Sequence, residues 1–121
     1  MLAKSGSLVC PEMLEFGRYQ CCYVCGASPP SEVHHEPSRG ASGVTRDDLV
    51  IPLCRACHKA AGGERPVVNG VVREPLSRQH RYNLVRNFRL AFMDRATSAQ
   101  MSAYAAARAA WREAIGQEIP F

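Results

Sequence analysis

A chain of 121 residues with a formal net charge of +4 and six cysteines has room for one compact domain, or for a small domain with an appended helical unit. No apolar run approaches the roughly 20 residues needed to cross a bilayer, which argues against an integral membrane protein. The thiols fall in paired Cys-x2-Cys spacing and no basic-then-apolar export signal opens the sequence, so a reducing, cytoplasmic setting is expected rather than a disulfide scaffold.

Residues 1–18 read as a leader of uncertain order, with Val9, Met13, Leu14 and Phe16 available for packing against the metal module and Cys10 standing alone as a small buried or incidental thiol rather than a ligand. Tyr23 to Gly26 reads as a zinc knuckle, a tight turn between two thiols, with Gly26 supplying backbone freedom after the second. Ser31 to Glu36 reads as a short extended segment and 37–45 as a loop containing Gly40 and Gly43. Leu49-Val50-Ile51 reads as a second short strand with Pro52 at its edge, and Cys54 to Ala61 as a helix stopped by Gly62-Gly63. In the linker 64–76, Asn69-Gly70 between valines predicts a small hairpin.

From Ser77 the pattern becomes helical, with Val85, Phe88 and Phe92 forming an apolar stripe and Arg78, Arg81, Arg86 and Arg89 largely off it. A capping box at Thr97 to Gln100 predicts a second helix to about Gly116, carrying Met101, Tyr104, Trp111 and Ile115. Residues 1–76 are therefore expected to form a metal-bound module and 77–121 a basic helical hairpin with structural aromatics. Charge follows the same division: residues 1–72 carry seven Lys/Arg and seven Asp/Glu, whereas 73–95 carry six Arg against Glu74 and Asp94. Guanidinium groups suit phosphate because their planar fork donates several hydrogen bonds in fixed geometry.

The first 60 residues hold few large aliphatic side chains and many Gly, Pro and Ser, so a hydrophobic core alone would struggle to order them. Cys22, Cys25, Cys54 and Cys57 supply a soft, tetrahedral ligand set for a structural Zn2+. Cys21 offers a competing register with Cys25, but Cys22-x2-Cys25 matches the second pair. If the thiols close one site, His34, His35 and His58 need another role. Adjacent residues of a strand face opposite ways, so one imidazole of the doublet can reach a metal and the other a substrate.

The run Cys22-Tyr23-Val24-Cys25-Gly26, then His34-His35, then Asp48 through Leu53 to Cys54-Arg55-Ala56-Cys57-His58 resembles HNH endonucleases of the zinc-stabilised ββα-metal type, including small phage and prophage proteins. The resemblance covers about residues 20–62 and does not extend to the carboxyl-terminal helices. It implies a small α+β fold: a ββα-metal module with an appended helical hairpin. It further implies that His34 and His58 hold a catalytic divalent cation and that His35 is the general base. The family's central Asn falls at Asp48, implying that Asp48 orients the first strand, its loop or His35, with the adjacent Asp47 as the alternative. Some relatives carry another His four residues after the last one, where this chain has Gly62. Two protein ligands then leave water and substrate phosphate to complete the shell.

The expected cation is Mg2+ or Mn2+, with Ni2+ or Zn2+ as alternatives in vitro. The expected partner is DNA, gripped by Arg39, Arg46 and Arg55 near the site and by Arg78, Arg81, Arg86 and Arg89 on the helix. A homodimer or a phage protein remains open as a further partner. The competing expectation is a noncatalytic zinc ribbon that binds nucleic acid or protein through the same positive helix.

Overall fold

The computed structural model describes residues 6–36 and 45–115. The leader contains a helix, α1, Pro11–Arg18, which starts on proline, carries Glu12 in its first turn and ends on Arg18. Proline is preorganised for a first helical turn and both charges complement the helix dipole. A helix of eight residues is marginal by itself, and burial of Met13, Phe16 and Gly17 supplies the stabilisation that sequence propensity does not. Val9, expected to pack, is 52% exposed. The reason is Leu8, whose backbone bonds with Thr45 and Asp47 and whose side chain is buried, so its neighbour turns outward.

Strands β1, Glu32–His35, and β2, Val50–Leu53, form an antiparallel pair with Val33 opposite Pro52 and His34 opposite Ile51. Proline is tolerated inside β2 because its carbonyl accepts from the Tyr23 N–H. That bond puts both backbone groups of Pro52 on the side away from β1, where no ladder N–H is required. Helix α2, Arg55–Ala61, follows at once and packs on the sheet. Its end is set by Gly62 and by Gly63 at φ +94°. The Asn-Gly hairpin forms as expected: β3, Val67–Val68, pairs with β4, Val71–Val72, across Asn69 and Gly70 at φ +52° and +78°.

Helix α3, Arg78–Arg95, starts on a Ser77 cap, and α4, Ser98–Ala114, starts on the Thr97 to Gln100 capping box. The Gly116 end expected for α4 lies outside the described residues. Helix α3 lies against β2 and α1, and α4 lies against α1; between the two helices Phe92 and Tyr104 stand edge to face, ring centres 5.7 Å apart. One core cluster joins Leu8, Met13, Phe16 and Val50 to Phe88, Phe92 and Trp111; a second joins Cys22, Ile51, Leu53 and Cys57 to Leu84 and Val85. At the crossing of α1, a Cβ on Gly17 would stand 2.9 Å from Val33 Cγ1 and 3.4 Å from Phe88 Cζ. The described chain is thus a small α+β fold with four helices and two two-stranded antiparallel sheets. Among the described residues, no helix is long and apolar enough to cross a membrane.

Candidate metal centre and histidine cavity

The knuckle is closed by backbone bonds from Gly26 N–H to the Cys22 carbonyl and from Cys22 N–H to the Ala27 carbonyl, both 2.9 Å, with Gly26 at φ +74°. Tyr23 N–H fastens this turn to β2, and β2 runs directly into Cys54, the cap of α2. All four ligand atoms of Cys22, Cys25, Cys54 and Cys57 consequently lie within 4.8 Å of one another, and Cys25 Sγ and Cys54 Sγ are 3.6 Å apart. A tetrahedral ion with bonds of about 2.3 Å to sulfur needs sulfurs roughly 3.8 Å apart, so the cluster has the dimensions and chemistry to bind a metal such as zinc.

Burial pushes the Cys22 thiol up, but the backbone amides of Cys25, Cys54 and Val24 outweigh it and bring the group down to about 7. Burial, with the neighbouring Cys54 and Cys22 thiols, pushes Cys57 strongly upward. Four thiols cannot share one small volume as anions without a cation, which is the electrostatic case for a metal here. Cys21 is exposed and stands outside the cluster, and Cys10 is buried elsewhere.

The histidines separate by strand parity. Glu32 and His34 face α2, where His58 Nδ1 meets Glu32 Oε1 at 2.8 Å and the His34 and His58 rings lie 5.2 Å apart, edge to face. Glu36 continues the same parity: its Oε1 meets His34 Nε2 at 3.1 Å and its Oε2 accepts from Arg81 Nε at 3.0 Å. Arg55 Nη1 likewise reaches Glu32 Oε2 at 3.2 Å. Each carboxylate therefore stands between one imidazole and one guanidinium. Burial holds His34 below the usual imidazole range against the opposing pull of Glu36, while the bond from His58 holds the Glu32 carboxyl down.

Two adjoining cavities open here, both lined by His34 and Gly62. One, of ≈ 390 Å³, also reaches Glu32, Arg55, His58 and Lys59; the other, of ≈ 350 Å³, reaches Glu36, Arg78, Arg81 and Tyr82.

Val33 and His35 face the other way. His35 Nε2 meets Asp47 Oδ1 at 2.8 Å, and the second oxygen of Asp47 accepts from Cys10 N–H at 2.8 Å. His35 thus bonds to Asp47, the alternative to Asp48, and not to Asp48 itself. Asp48 turns inward at 1% exposure, where Arg46 grips both its oxygens at 3.0 and 2.7 Å and Tyr104 Oη donates at 2.9 Å. Burial and the adjacent Asp48 carboxylate push the Tyr104 phenol up to about 12.

Compared with family models, with curated proteins and with solved structures, the chain matches none.

The arginines divide by place. Arg55, Arg78 and Arg81 flank the histidine cavities. Arg46, expected to hold DNA, is instead committed to Asp48 and stacked 4.3 Å over the Trp111 ring. Arg86 and Arg89 line a separate cleft with Arg108, and Arg39 lies outside the described residues. Glu32 is the site residue that sequence reasoning missed, although Glu32, His34 and Glu36 share one parity of an extended segment and so one face. Among the described residues, the thiols are the group that brings three or more ligand atoms together; His34, His58 and their carboxylates do not close into a second one.

Proposed function

We propose that this chain is a metal-dependent endonuclease of the HNH, ββα-metal type that hydrolyses DNA phosphodiester bonds, with a structural zinc at Cys22, Cys25, Cys54 and Cys57. The observation that carries the reading is that His34 on β1 and His58 on α2 meet at one cavity, one residue along the strand from an imidazole held by a carboxylate. The sequence order of thiols, doublet and terminal histidine, with β1, β2 and α2 following in that order, supports it further.

In this reading His34 and His58 hold the catalytic divalent cation. With Nδ1 of His58 on Glu32 and Nε2 of His34 on Glu36, the remaining ring nitrogens are His58 Nε2 and His34 Nδ1. Carboxylate support of this kind fixes ring orientation and raises ligand basicity. Bound there, a cation supplies charge stabilisation at the phosphate. With so few protein ligands, affinity for it is low until DNA contributes phosphate oxygens.

His35 is the base. Its Nε2–H donates to Asp47, which leaves Nδ1 with the lone pair that takes a proton from water, while Asp47 stabilises the imidazolium formed. Because His35 is the last residue of β1, the reacting phosphate lies across that strand end, between the two faces. Arg55 and Arg78 at the cavity rim hold its neighbours.

The test is plasmid nicking by the wild type, His35→Ala and His58→Ala across Mg2+, Mn2+, Ni2+ and Zn2+. Loss of a positioned base lowers the rate by roughly 10²–10⁴-fold. Equal cleavage by a folded His35→Ala variant removes His35 as the base. Failure of the zinc-loaded wild type to cut duplex, single-stranded and branched DNA favours a noncatalytic zinc ribbon.

A further inference from the structure

A second charged surface lies away from the histidine cavities and shares no lining residue with them. Between α3 and α4 runs a cleft in two joined parts. One, of ≈ 160 Å³, reaches down to Met13 and Phe92; the other, of ≈ 300 Å³, runs along Met101, Ala105 and Ala109; Met93, Tyr104 and Arg108 belong to both.

Helical spacing puts Arg86, Arg89, Leu90 and Met93 on one wall, and Met101, Ala105, Arg108 and Arg112 on the other. The four arginines have no carboxylate partner among the described residues, whose ion-paired arginines are Arg46, Arg55, Arg65 and Arg81. No acidic side chain lines either part of the cleft. Between the charges, Leu90 is 61% and Met93 58% exposed, an arrangement that bare solvent disfavours.

The geometry points to a docking site for an acidic amphipathic helix of a partner protein, its aliphatic side chains on Leu90, Met93 and Met101 and its carboxylates between the two pairs of arginines. A third helix in the groove between α3 and α4 completes a bundle, and the low alanine wall of α4 permits its close approach. Methionine supplies a floor that adapts to the side chains it meets. A nucleic-acid backbone matches the charge but leaves the thioether and aliphatic groups uncovered. It also finds no flat ring for base stacking, since Phe92 and Tyr104 stand edge to face at 5.7 Å and the Tyr104 hydroxyl is tied to Asp48. A second copy offering this same face would set four arginines against four, which disfavours symmetric self-association. The assignment does not depend on the nuclease reading.

The experiment titrates the full zinc-loaded chain into three labelled probes of matched length, read by fluorescence anisotropy. They are a blocked Leu/Glu amphipathic peptide of about 16 residues, or four to five helical turns, its Leu/Lys counterpart, and poly-glutamate; a DNA duplex is the fourth probe. The Leu/Glu peptide is expected to bind, and the Leu/Lys peptide and poly-glutamate at least tenfold more weakly. Arg89→Glu combined with Arg108→Glu, and separately Leu90→Ser combined with Met93→Ser, should each weaken Leu/Glu binding tenfold or more. All four positions are exposed, so both variants should keep the wild-type melting curve.

No binding of the Leu/Glu peptide, equal binding of poly-glutamate, or undiminished binding by either folded variant overturns the assignment. Duplex binding that falls tenfold in the charge-reversed variant, with the Leu/Glu peptide unaffected, assigns the cleft to nucleic acid instead.

Discussion

The two faces of the β1–β2 pair carry the same chemical groups, imidazole, carboxylate and guanidinium, in opposite settings. Toward α2, Glu32, His34, Glu36 and His58 ring an open cavity, and each imidazole keeps one nitrogen that these carboxylates do not engage. Toward α1 and α4, Asp47 is held by Cys10, and Asp48 is enclosed by Arg46 and Tyr104. A polar group whose partners are complete and buried specifies structure; one facing solvent with an unused ligand position can bind. Neighbours in sequence therefore diverge in role where strand parity sends them to different faces, as with His34 and His35, or where they find different partners, as with Asp47 and Asp48.

The largest expected effect removes both faces at once. Cys54 is both a member of the thiol cluster and the cap residue joining β2 to α2. Structural zinc contributes on the order of 10 kcal/mol to small metal-bound units, comparable to the roughly 5–15 kcal/mol of a whole domain. Cys54→Ser, or chelation of the wild type, should release one zinc per chain and abolish the cooperative melt, as read by metal analysis and circular dichroism. A zinc-free chain with an unchanged melt would show that the thiols do not hold the faces together.

Next in size is a pair of substitutions that sets the two aspartates apart. Asp48→Ala leaves the Arg46 guanidinium and the Tyr104 hydroxyl without their shared acceptor, and should cost about 2–4 kcal/mol in urea unfolding. Asp47→Asn keeps the shape and one acceptor oxygen, so its cost should stay near ~1 kcal/mol. On the proposed nuclease reading the ranking inverts for activity, with Asp47→Asn lowering kcat through a misdirected His35 while leaving KM nearly unchanged. Equal losses of stability in the two variants would erase the distinction drawn between the enclosed Asp48 and the Asp47 that bonds to His35.

How much of this was legible in the sequence depended on the range of the interaction. The thiol cluster was, because each Cys-x2-Cys turn is closed by local backbone bonds such as Gly26 to Cys22. So were the Asn69-Gly70 hairpin and the Thr97 capping box, which depend on neighbouring residues. Strand parity separated His34 from His35, and would have added Glu32. The two aspartates were not legible, because what divides them lies far along the chain: Cys10 on one side, Tyr104 and Trp111 on the other. Helix α1 was hidden for the same reason, since Phe16 is ordered by Phe88 and Phe92, 5.9 and 5.2 Å away between ring centres. The packing partners of α3 and α4 were equally invisible, because a capping box and an apolar stripe fix where helices begin and which side is buried but not what each packs against.

The smallest expected effect probes the closed face by pH. The Tyr104 phenol rises to about 12 in the fold, against about 10 in an unfolded chain. Its neutral form is the one the fold favours, so its contribution is complete below about pH 10 and is lost as pH climbs through 12. The cause is local: burial deprives the phenolate of water, and the adjacent Asp48 carboxylate sets a like charge beside it. Tyr104→Phe should therefore be less stable than the wild type near neutrality by about 1 kcal/mol, for the lost hydrogen bond to a carboxylate. That gap should close between pH 10 and 12, and comparing the two proteins cancels the titration of lysines and thiols common to both. Urea midpoints across this range give the measurement, with tyrosinate absorbance reporting the ionisation itself. A gap that stays constant with pH would mean that Tyr104 reaches water and that the Asp48 side of the sheet is as open as the histidine side.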